Sequence, residues 1–427
     1  MSPDDFGEQI LERRRVVVCV GCGGVGKTTI AAAIALEAAR RERNVVVLTI
    51  DPARRLADAL GVHELGNQPQ AIPRETLTAL GVPAGGHLSA MMLDMKRTFD
   101  DMVERFAESA EARDRILENP IYRHATDALA GSVEFSAMEK VYELCERGDY
   151  DLVVVDTPPA QHALDFLDAP QRMVEFLDSR LVHMLIHPAM AAGRFGFRIF
   201  QRGTRRVLHL IERVSGLGFL QDISEFLMAF EHMAEGFRAR AVKVRELLLG
   251  PEASFVLVTT PARESVRQAE DFLGRLEATG VPLAAVLINR MRLWPGGGDP
   301  PQFEADEGAA DVDVDTLAAA FAHSEGAGFP ALDAARAAVA AATGYAELVR
   351  RDADRTAALE RRTVARGRHW GIIPELPKDV HDLAGLAGVA GWIFRFDATA
   401  GDETGAMGGP FDGRAAKSMD AIRRGGA

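Results

Sequence analysis

A glycine-rich segment near the start of the chain has the residue types and the spacing of a phosphate-binding loop. Residues 21–29 read Gly-Cys-Gly-Gly-Val-Gly-Lys-Thr-Thr, so two glycines separated by four residues are followed by a lysine and a hydroxyl side chain. In such a loop the backbone N–H groups face phosphate oxygens, Lys27 reaches the β and γ phosphates, and the Thr28 hydroxyl ligates Mg²⁺. The sequence therefore predicts a nucleoside triphosphate site. Its predicted nucleotide-binding residues are Gly23, Gly24, Val25, Gly26, Lys27, Thr28 and Thr29.

The residues on both sides of this loop predict a strand before it and a helix after it. Residues 16–20 form a short apolar run rich in valine, and residues 28–40 are rich in alanine, isoleucine and leucine without glycine or proline. A helix that begins at the loop directs its positive N-terminal end at bound phosphates. Because both flanks agree, we interpret the segment as a phosphate loop and not as a turn that contains Gly-Lys-Thr by coincidence.

Four further apolar runs predict strands of the same sheet. They lie at residues 45–50, 152–155, 255–259 and 283–288. Near-continuous β-branched runs of this kind are typical of a mostly parallel, doubly wound α/β sheet that is covered on both faces. Three of the runs end at polar residues, which are Asp51, Asp156 and Asn289. Because ligands of open α/β sheets lie beyond the carboxyl ends of the strands, we expect these residues and the phosphate loop to converge on one crevice.

Taken in order, these segments resemble those of the ArsA-type ATPases, which comprise arsenite-pump ATPases and relatives that target tail-anchored membrane proteins. The loop is similar to the deviant Walker A loop of these P-loop NTPases. Residues 51–53, Asp-Pro-Ala, are similar to switch I, and residues 156–162, Asp-Thr-Pro-Pro-Ala-Gln-His, are similar to switch II. Asn289 is placed like the asparagine that contacts the adenine base. The resemblance covers most of residues 14–395.

The resemblance implies an enzyme that hydrolyses ATP with Mg²⁺. It implies that Asp51 orients or activates the attacking water and that Asp156 holds Mg²⁺ through water, so Asp51 and Lys27 are the predicted catalytic residues. A carboxylate at a strand end suits this role, because phosphoryl transfer depends on positioning and charge stabilisation. The predicted switch II residues are Asp156, Thr157, Pro158 and His162. The alternatives are a helix N-cap for Asp51, a turn carboxylate for Asp156 and a structural histidine for His162.

The second residue of the phosphate loop departs from the family pattern. Members of the family usually carry a lysine there, which reaches across a dimer interface to the partner's nucleotide, whereas this chain has Cys22. Three interpretations stay open: hydrolysis is slow, Arg54 or Arg55 substitutes for the lysine, or a paralogous subunit supplies it. The resemblance thus predicts a homodimer or a heterodimer. Since the chain contains one phosphate loop, closure of a composite site needs a second chain.

The three cysteines test whether the chain binds arsenite directly. Arsenite seeks three thiolates, and the chain has three cysteines, Cys19, Cys22 and Cys145. Cys19 lies in a predicted strand, Cys22 in the phosphate loop, and Cys145 near the end of a predicted helix. This placement predicts buried packing roles for Cys19 and Cys145 and argues against an arsenite site. A structural zinc site is also not expected, since no second C-x-x-C pair is present.

The order of the motifs predicts one ATPase domain at residues 15–395, preceded by an extension at 1–14 and followed by a flexible tail at 396–427. Its helical subdomain, inserted between switch I and switch II and again after switch II, is predicted at about 91–145 and 165–249. An acidic loop is predicted at about 295–315. Residues 171–216 contain eight arginines and three acidic residues. A basic amphipathic segment of this kind binds a membrane surface, an acidic partner or a hydrophobic client, or else packs on its own core.

Composition narrows the function classes. The 427 residues carry a net charge of −13, which argues against nucleic-acid binding, and they contain neither a signal peptide nor a long apolar run. We therefore expect a cytoplasmic protein, with a peripheral position at a membrane left open. The leading interpretation is a dimeric ATP-hydrolysing switch that serves a transport or client-targeting partner. The alternatives are the ATPase subunit of an arsenite or other anion efflux pump with a membrane channel partner, and a low-turnover regulatory scaffold.

Overall fold

The structure, a computed structural model, describes residues 3–51, 55–62, 65–119, 122, 132–158, 175, 235–236, 239–295, 300, 314–323 and 330–394. An eight-stranded sheet forms its centre, with the strands in the order β3-β4-β2-β5-β1-β6-β7-β8. Every neighbouring pair is parallel except β3 and β4. The strands are β1 (Val16–Gly21), β2 (Asn44–Thr49), β3 (Gln70–Ala71), β4 (His87–Met92), β5 (Leu152–Asp156), β6 (Ala253–Thr259), β7 (Leu283–Met291) and β8 (His369–Pro374). The predicted mostly parallel α/β sheet is therefore confirmed.

Helices cover both faces of this sheet. They are α1 (Pro3–Gly7), α2 (Lys27–Arg40), α3 (Arg55–Leu60), α4 (Arg74–Ala79), α5 (Met95–Phe106), α6 (Ala110–Glu118), α7 (Ser132–Arg147), α8 (Arg263–Thr279), α9 (Val314–Ala322), α10 (Ala331–Val364) and α11 (Leu383–Phe394). A π-helical turn (Glu8–Glu12) follows α1, and residues 239–249 are also helical. Among the helices described, none combines the length and the apolar character needed to cross a membrane.

Alternate residues of the central strands pack on opposite faces, as expected for a sheet with period-two side chains. Val17 and Cys19 of β1 pack with α2, α3 and α11, and we name this side the α2 face. Val16 and Val18 pack with α7, α8 and residues 239–249, and we name this side the α7 face. The near-continuous valine runs of the sequence are thus explained by burial on both faces.

The segment predicted as an N-terminal extension is packed into the domain from residue 3 to residue 12. Phe6, Ile10 and Leu11 are fully buried in the α2-face core. The Phe6 ring stacks on His369 of β8 at a centroid distance of 4.4 Å and on Phe394 of α11 at 5.7 Å. Phe6, Ile10 and Leu11 recur at helical spacing in the sequence, which is a signal for a helix that buries one side.

Other predicted boundaries differ in smaller ways. The predicted helical portion at about 91–145 begins inside β4, and its first helix starts at Met95. The predicted acidic loop at 295–315 reaches α9, which begins at Val314. Most of the second helical portion, all of the basic segment 171–216 except Glu175, and the whole tail 396–427 lie outside the described residues.

Candidate functional site

The phosphate loop leaves β1 through glycines that the local backbone requires. A Cβ atom at Gly21 would lie 2.1 Å from the carbonyl oxygen of Val258 on the neighbouring strand β6. Gly24 and Gly26 have φ values of 76° and 95°, and residues other than glycine rarely adopt such backbone conformations. Gly23 and Gly24 are exposed, whereas Val25 is buried. The loop therefore curves tightly into α2, which begins at Lys27.

The two residues that start α2 face the crevice differently. Lys27 is buried, and its Nζ donates a hydrogen bond to the carbonyl oxygen of Cys22, at 2.8 Å, within the loop. Burial lowers the pKa of Lys27, and the nearby Asp156 opposes this effect. The Thr28 hydroxyl donates to Oδ2 of Asp156 at 2.8 Å. Thr29 is half-buried in the first turn of the helix.

Asp156, at the end of β5, is the centre of a chain of hydrogen bonds. Its Oδ2 accepts from the hydroxyls of Thr28, at 2.8 Å, and of Thr49, at 2.9 Å. The Thr49 hydroxyl in turn accepts from the backbone N–H of Asp51 at 3.2 Å. The structure therefore brings together the loop threonine and the two aspartates that the sequence singled out. Thr49 is the member that sequence reasoning missed, although its position two residues before Asp51 at a strand end was a usable signal.

The environment of Asp156 suits a bound cation. Burial raises the pKa of this carboxyl to about 6, against the effect of its two hydroxyl donors. Its Oδ1 is buried and has no hydrogen-bond partner among the described residues. The described residues also contain no cluster of three His, Cys, Asp or Glu side chains that could hold a metal. A donor set of one hydroxyl and one carboxylate fits Mg²⁺, which keeps several waters and uses substrate phosphates as ligands.

The start of the predicted switch II is anchored to β1. The Thr157 hydroxyl donates to the carbonyl oxygen of Cys19 at 2.8 Å, and Pro158 after it is half-buried. Its fourth predicted residue, His162, lies outside the described residues, as does Arg54. Arg55 is described and is exposed at the start of α3.

Asn289, near the end of β7, lies against the phosphate loop. Its Nδ2 donates to the carbonyl oxygen of Val25 at 2.8 Å, and its Oδ1 accepts from the backbone N–H of Arg290 at 3.0 Å. The predicted convergence of Asn289 with the loop is therefore observed. The direct contact with the loop backbone was not predicted, and the predicted contact with adenine stays a prediction.

The cysteines are divided between the two faces of the sheet. All three are free and buried, Cys19 and Cys22 in the α2-face core and Cys145 in the α7-face core. Burial raises the pKa of each thiol, that of Cys145 to about 11. Because a sheet separates Cys145 from the other two, the three thiols cannot ligate one arsenic atom in this fold.

Comparison with known proteins identifies the family of this chain. The family model described as anion-transporting ATPase matches residues 14–333. The chain is 31% identical over 165 residues to "ATPase GET3" of Malassezia globosa, which is 38% of this chain and 45% of that relative. It is 25% identical over 294 residues to "ATPase get3" of Schizosaccharomyces japonicus, which is 67% of this chain and 78% of the relative.

A third relative carries a transport name. The chain is 24% identical over 283 residues to the "Putative arsenical pump-driving ATPase 1" of Aquifex aeolicus, which is 65% of this chain and 63% of the relative. The chain thus spans less than two thirds of the length of the Malassezia and Aquifex relatives. The chain belongs to the anion-transporting ATPase family, which confirms the resemblance and the ATPase class that the sequence predicted.

Proposed function

We propose that this protein binds ATP and Mg²⁺ at the phosphate loop, hydrolyses the ATP, and acts as a dimeric switch for a transport or client-targeting partner. The observation that carries the proposal is the hydrogen-bond chain from Thr28 through Asp156 and Thr49 to Asp51. It connects the residue at the start of α2 with the ends of β2 and β5. Occupation of the loop is therefore coupled to the two segments that resemble switches I and II.

The chain's own residues divide the chemistry. Lys27 leaves the Cys22 carbonyl and binds the β and γ phosphate oxygens, where its charge stabilises the transferring group. Thr28 and Asp156 would hold Mg²⁺, Asp156 through water, and the ion would neutralise phosphate charge when bound. Asp51 orients the attacking water as a carboxylate at the end of β2. The α2 N-terminus adds its unpaired N–H groups to the phosphate site.

Coupling to the partner follows from the bonds of Asp156. Mg²⁺ would bind a lone pair of the Thr28 hydroxyl oxygen, so this hydroxyl would keep its hydrogen bond to Asp156, and Thr49 binds the same carboxylate oxygen. Oδ1 of Asp156, which has no hydrogen-bond partner among the described residues, would accept from a water on the ion, so the ends of β2 and β5 would have different contacts with and without Mg²⁺. The proposed output of this change is a movement of the predicted helical subdomain.

The proposed assembly contains a second chain. Cys22 is buried and its thiol is neutral at physiological pH, because burial raises its pKa. This subunit therefore does not supply the loop charge that the family usually provides. A paralogous partner that carries the lysine, or a homodimer with another cation, completes the site. We place the protein in the cytoplasm, with a peripheral position at a membrane when its partner is a membrane protein.

The efflux-pump alternative is favoured by the name of the Aquifex relative. In that case a membrane channel is the partner and an anion is the cargo. The placement of the cysteines argues against arsenite binding by thiols of this chain. The scaffold alternative is favoured by Cys22 alone.

Steady-state ATP hydrolysis, measured on the wild type with and without Mg²⁺, tests the proposal. We expect Mg²⁺-dependent hydrolysis that is abolished in Lys27→Ala and unchanged in Lys96→Ala, whose lysine is exposed on α5. Tight ATP binding without hydrolysis would support the scaffold, and stimulation by arsenite or antimonite would support the pump. Cys22→Lys is expected to raise hydrolysis by the isolated chain if the missing charge limits turnover. A pull-down with ATP and Mg²⁺ identifies the class of partner.

A further inference from the structure

The amide of Asn289 is held between two backbone groups, and one of them belongs to the phosphate loop. Its Nδ2 lies 2.8 Å from the carbonyl oxygen of Val25, and its Oδ1 lies 3.0 Å from the backbone nitrogen of Arg290. A carbonyl only accepts and a backbone N–H only donates, so the two partners fix the orientation of the amide. Both ends of the Asn289 side chain are therefore engaged by the protein.

A local irregularity of β7 aims this side chain at the loop. The pairing of β7 with β8 shifts register between Ile288 and Met291. Within this interval Arg290 has a φ of 59°, which is uncommon for a residue other than glycine. The hydrogen bond from Arg290 to Asn289 stabilises that conformation. Such bulges commonly redirect a side chain next to a functional site.

The contact also depends on the glycine that follows Val25. Gly26 has a φ of 95°, and a Cβ atom on it would lie 2.3 Å from Nδ2 of Asn289. The Asn289 amide thus occupies the space in which a side chain at Gly26 would lie. The loop and β7 are fitted to each other at this point.

Fixing the Val25 carbonyl also fixes the N–H group of Gly26. The two groups belong to one planar trans peptide, so they point in opposite directions. Gly26 is the N-cap of α2, whose first turn closes through the bond from Ile30 N to Gly26 O at 3.0 Å. N–H groups at a helix start have no partner within the helix and bind anions. With its carbonyl neighbour turned to Asn289, the Gly26 N–H faces away from β7.

We propose that Asn289 is a positioning residue for the phosphate loop. Its amide holds the Val25–Gly26 peptide so that the Gly26 N–H is presented to a triphosphate, whether or not a base is attached. This inference rests on the proposed function, because it concerns the nucleotide at this loop. The adenine contact predicted for Asn289 concerns the base, whereas the inference concerns the phosphates. Asn289 would thus contribute to the binding of both ends of the nucleotide.

Binding of inorganic tripolyphosphate with Mg²⁺ separates the two roles, because this probe has no base. Calorimetric titration is carried out with Mg-tripolyphosphate and Mg-ATP on the wild type, Asn289→Ala and Asn289→Asp. The aspartate keeps the shape of the side chain but cannot donate to Val25. Asn44→Ala is the matched control. Asn44 Nδ2 also donates to a backbone carbonyl, that of Asp149 at 2.6 Å, but Asn44 lies at the amino end of β2, away from the phosphate loop.

We expect both Asn289 variants to bind Mg-tripolyphosphate roughly three- to tenfold more weakly, the effect of one lost hydrogen bond, and Asn44→Ala to bind like the wild type. Tripolyphosphate binding by the Asn289 variants within twofold of the wild type, with weakened ATP binding, would overturn the inference and leave the proposed function intact. A wild type that binds neither probe would overturn both. If neither variant folds, amide exchange at Gly26 of the wild type decides: protection by tripolyphosphate supports the inference, and its absence overturns it.

Discussion

On the α2 face of the sheet, helix α2 packs mainly through small and aliphatic side chains, whereas on the α7 face a buried arginine joins separate elements through ion pairs. Helix α2 buries an almost continuous run from Ile30 to Ala39 against the strands. On the opposite face Arg240 donates to both carboxylate oxygens of Glu139, at 2.7 and 3.0 Å, and to Glu146 at 2.7 Å. Its guanidinium also lies over the Tyr142 ring at 4.3 Å. These contacts join α7 to residues 239–249.

The difference teaches how the two faces are specified. The buried alanines of α2 pack closely against the strands and so hold the start of the helix, and with it the phosphate loop, in place. Such packing leaves no room for a larger side chain. Buried ion pairs are directional, and they add less stability than their number indicates, because each charge must be desolvated. Helix α7 leads into β5, which ends at Asp156, and residues 239–249 lead into β6. Substitutions of the polar residues at the carboxyl ends of the strands are therefore expected to change chemistry, and those of the buried ion pair on the α7 face to change stability.

The largest expected effect is that of Arg240→Met. It leaves Glu139 buried without its ion-pair partner, so we expect the free energy of unfolding to fall by about 3–5 kcal/mol, measured by denaturant titration. Adding Glu139→Leu should recover much of the loss, because an apolar pair needs no desolvation. Arg267→Met removes an exposed ion pair of α8, with side chains 67% and 60% exposed, and should leave stability nearly unchanged. Equal losses in the two arginine variants would contradict the comparison.

Asp51→Asn, unlike Arg240→Met, is expected to lower activity and to leave stability nearly unchanged. An amide orients the attacking water less well than a carboxylate, so ATP hydrolysis should fall by about 100-fold, or about 2.7 kcal/mol of transition-state stabilisation. The unfolding midpoint should stay within a few degrees of the wild type. Asp149→Asn, at the exposed amino edge of the sheet, serves as the control in both assays. Retained hydrolysis would exclude Asp51 as the catalytic carboxylate.

Much of the sheet could be predicted because its strands are buried on both sides. A run of valines such as residues 16–18 indicates a strand of a parallel sheet, because both faces of such a strand are buried. β4 was missed, because its sequence His-Leu-Ser-Ala-Met-Met lacks β-branched residues. The N-terminal helix was also missed, because Phe6 acquires its role only through contact with His369 of β8 and Phe394 of α11, more than 350 residues away along the chain.

The site was predictable wherever a residue type and its place in the phosphate loop or at a strand end were sufficient. Lys27, Thr28 and Asp156 meet this condition, and the structure brings them together. The bond between Asn289 and Val25 joins residues 264 positions apart and depends on a bulge in β7, which no local pattern indicates. Long-range contacts of this kind can be predicted only when the order of the strands in the sheet is known, and that order cannot be derived from local sequence patterns.

The pH dependence of stability gives a smaller test of the α7 face. Burial raises the pKa of Glu139 from 4.5 to about 7, against the effect of Arg240. The folded state then binds more protons than the unfolded state between these values, so this group's contribution to the free energy of unfolding is present below pH 4.5 and is lost as the pH rises to 7. Asp156 acts in the same direction up to about pH 6.

Glu139→Gln removes this proton, so its free energy of unfolding should fall less steeply between pH 5 and 7 than that of the wild type. The measurement is a series of denaturant titrations across this range. Glu104→Gln, an exposed residue of α5, should keep the wild-type slope. A slope that is unchanged in Glu139→Gln would show that the buried pair stays ionised throughout, and the α7 face would then resemble an ordinary ion-pair interface.

The smallest effect is expected for the residue that most distinguishes this phosphate loop. The Cys22 side chain packs in the α2-face core, and its protonated thiol carries no charge to the nucleotide. Cys22→Ala should therefore change ATP hydrolysis by less than about twofold and lower the free energy of unfolding by about 1 kcal/mol, the cost of a small loss of packing. Cys145→Ala removes the same atoms from the α7 face and should cost a similar amount. A large loss of hydrolysis confined to Cys22→Ala would mean that the thiol takes part in the chemistry, and the missing loop charge would no longer support the proposal of a second subunit.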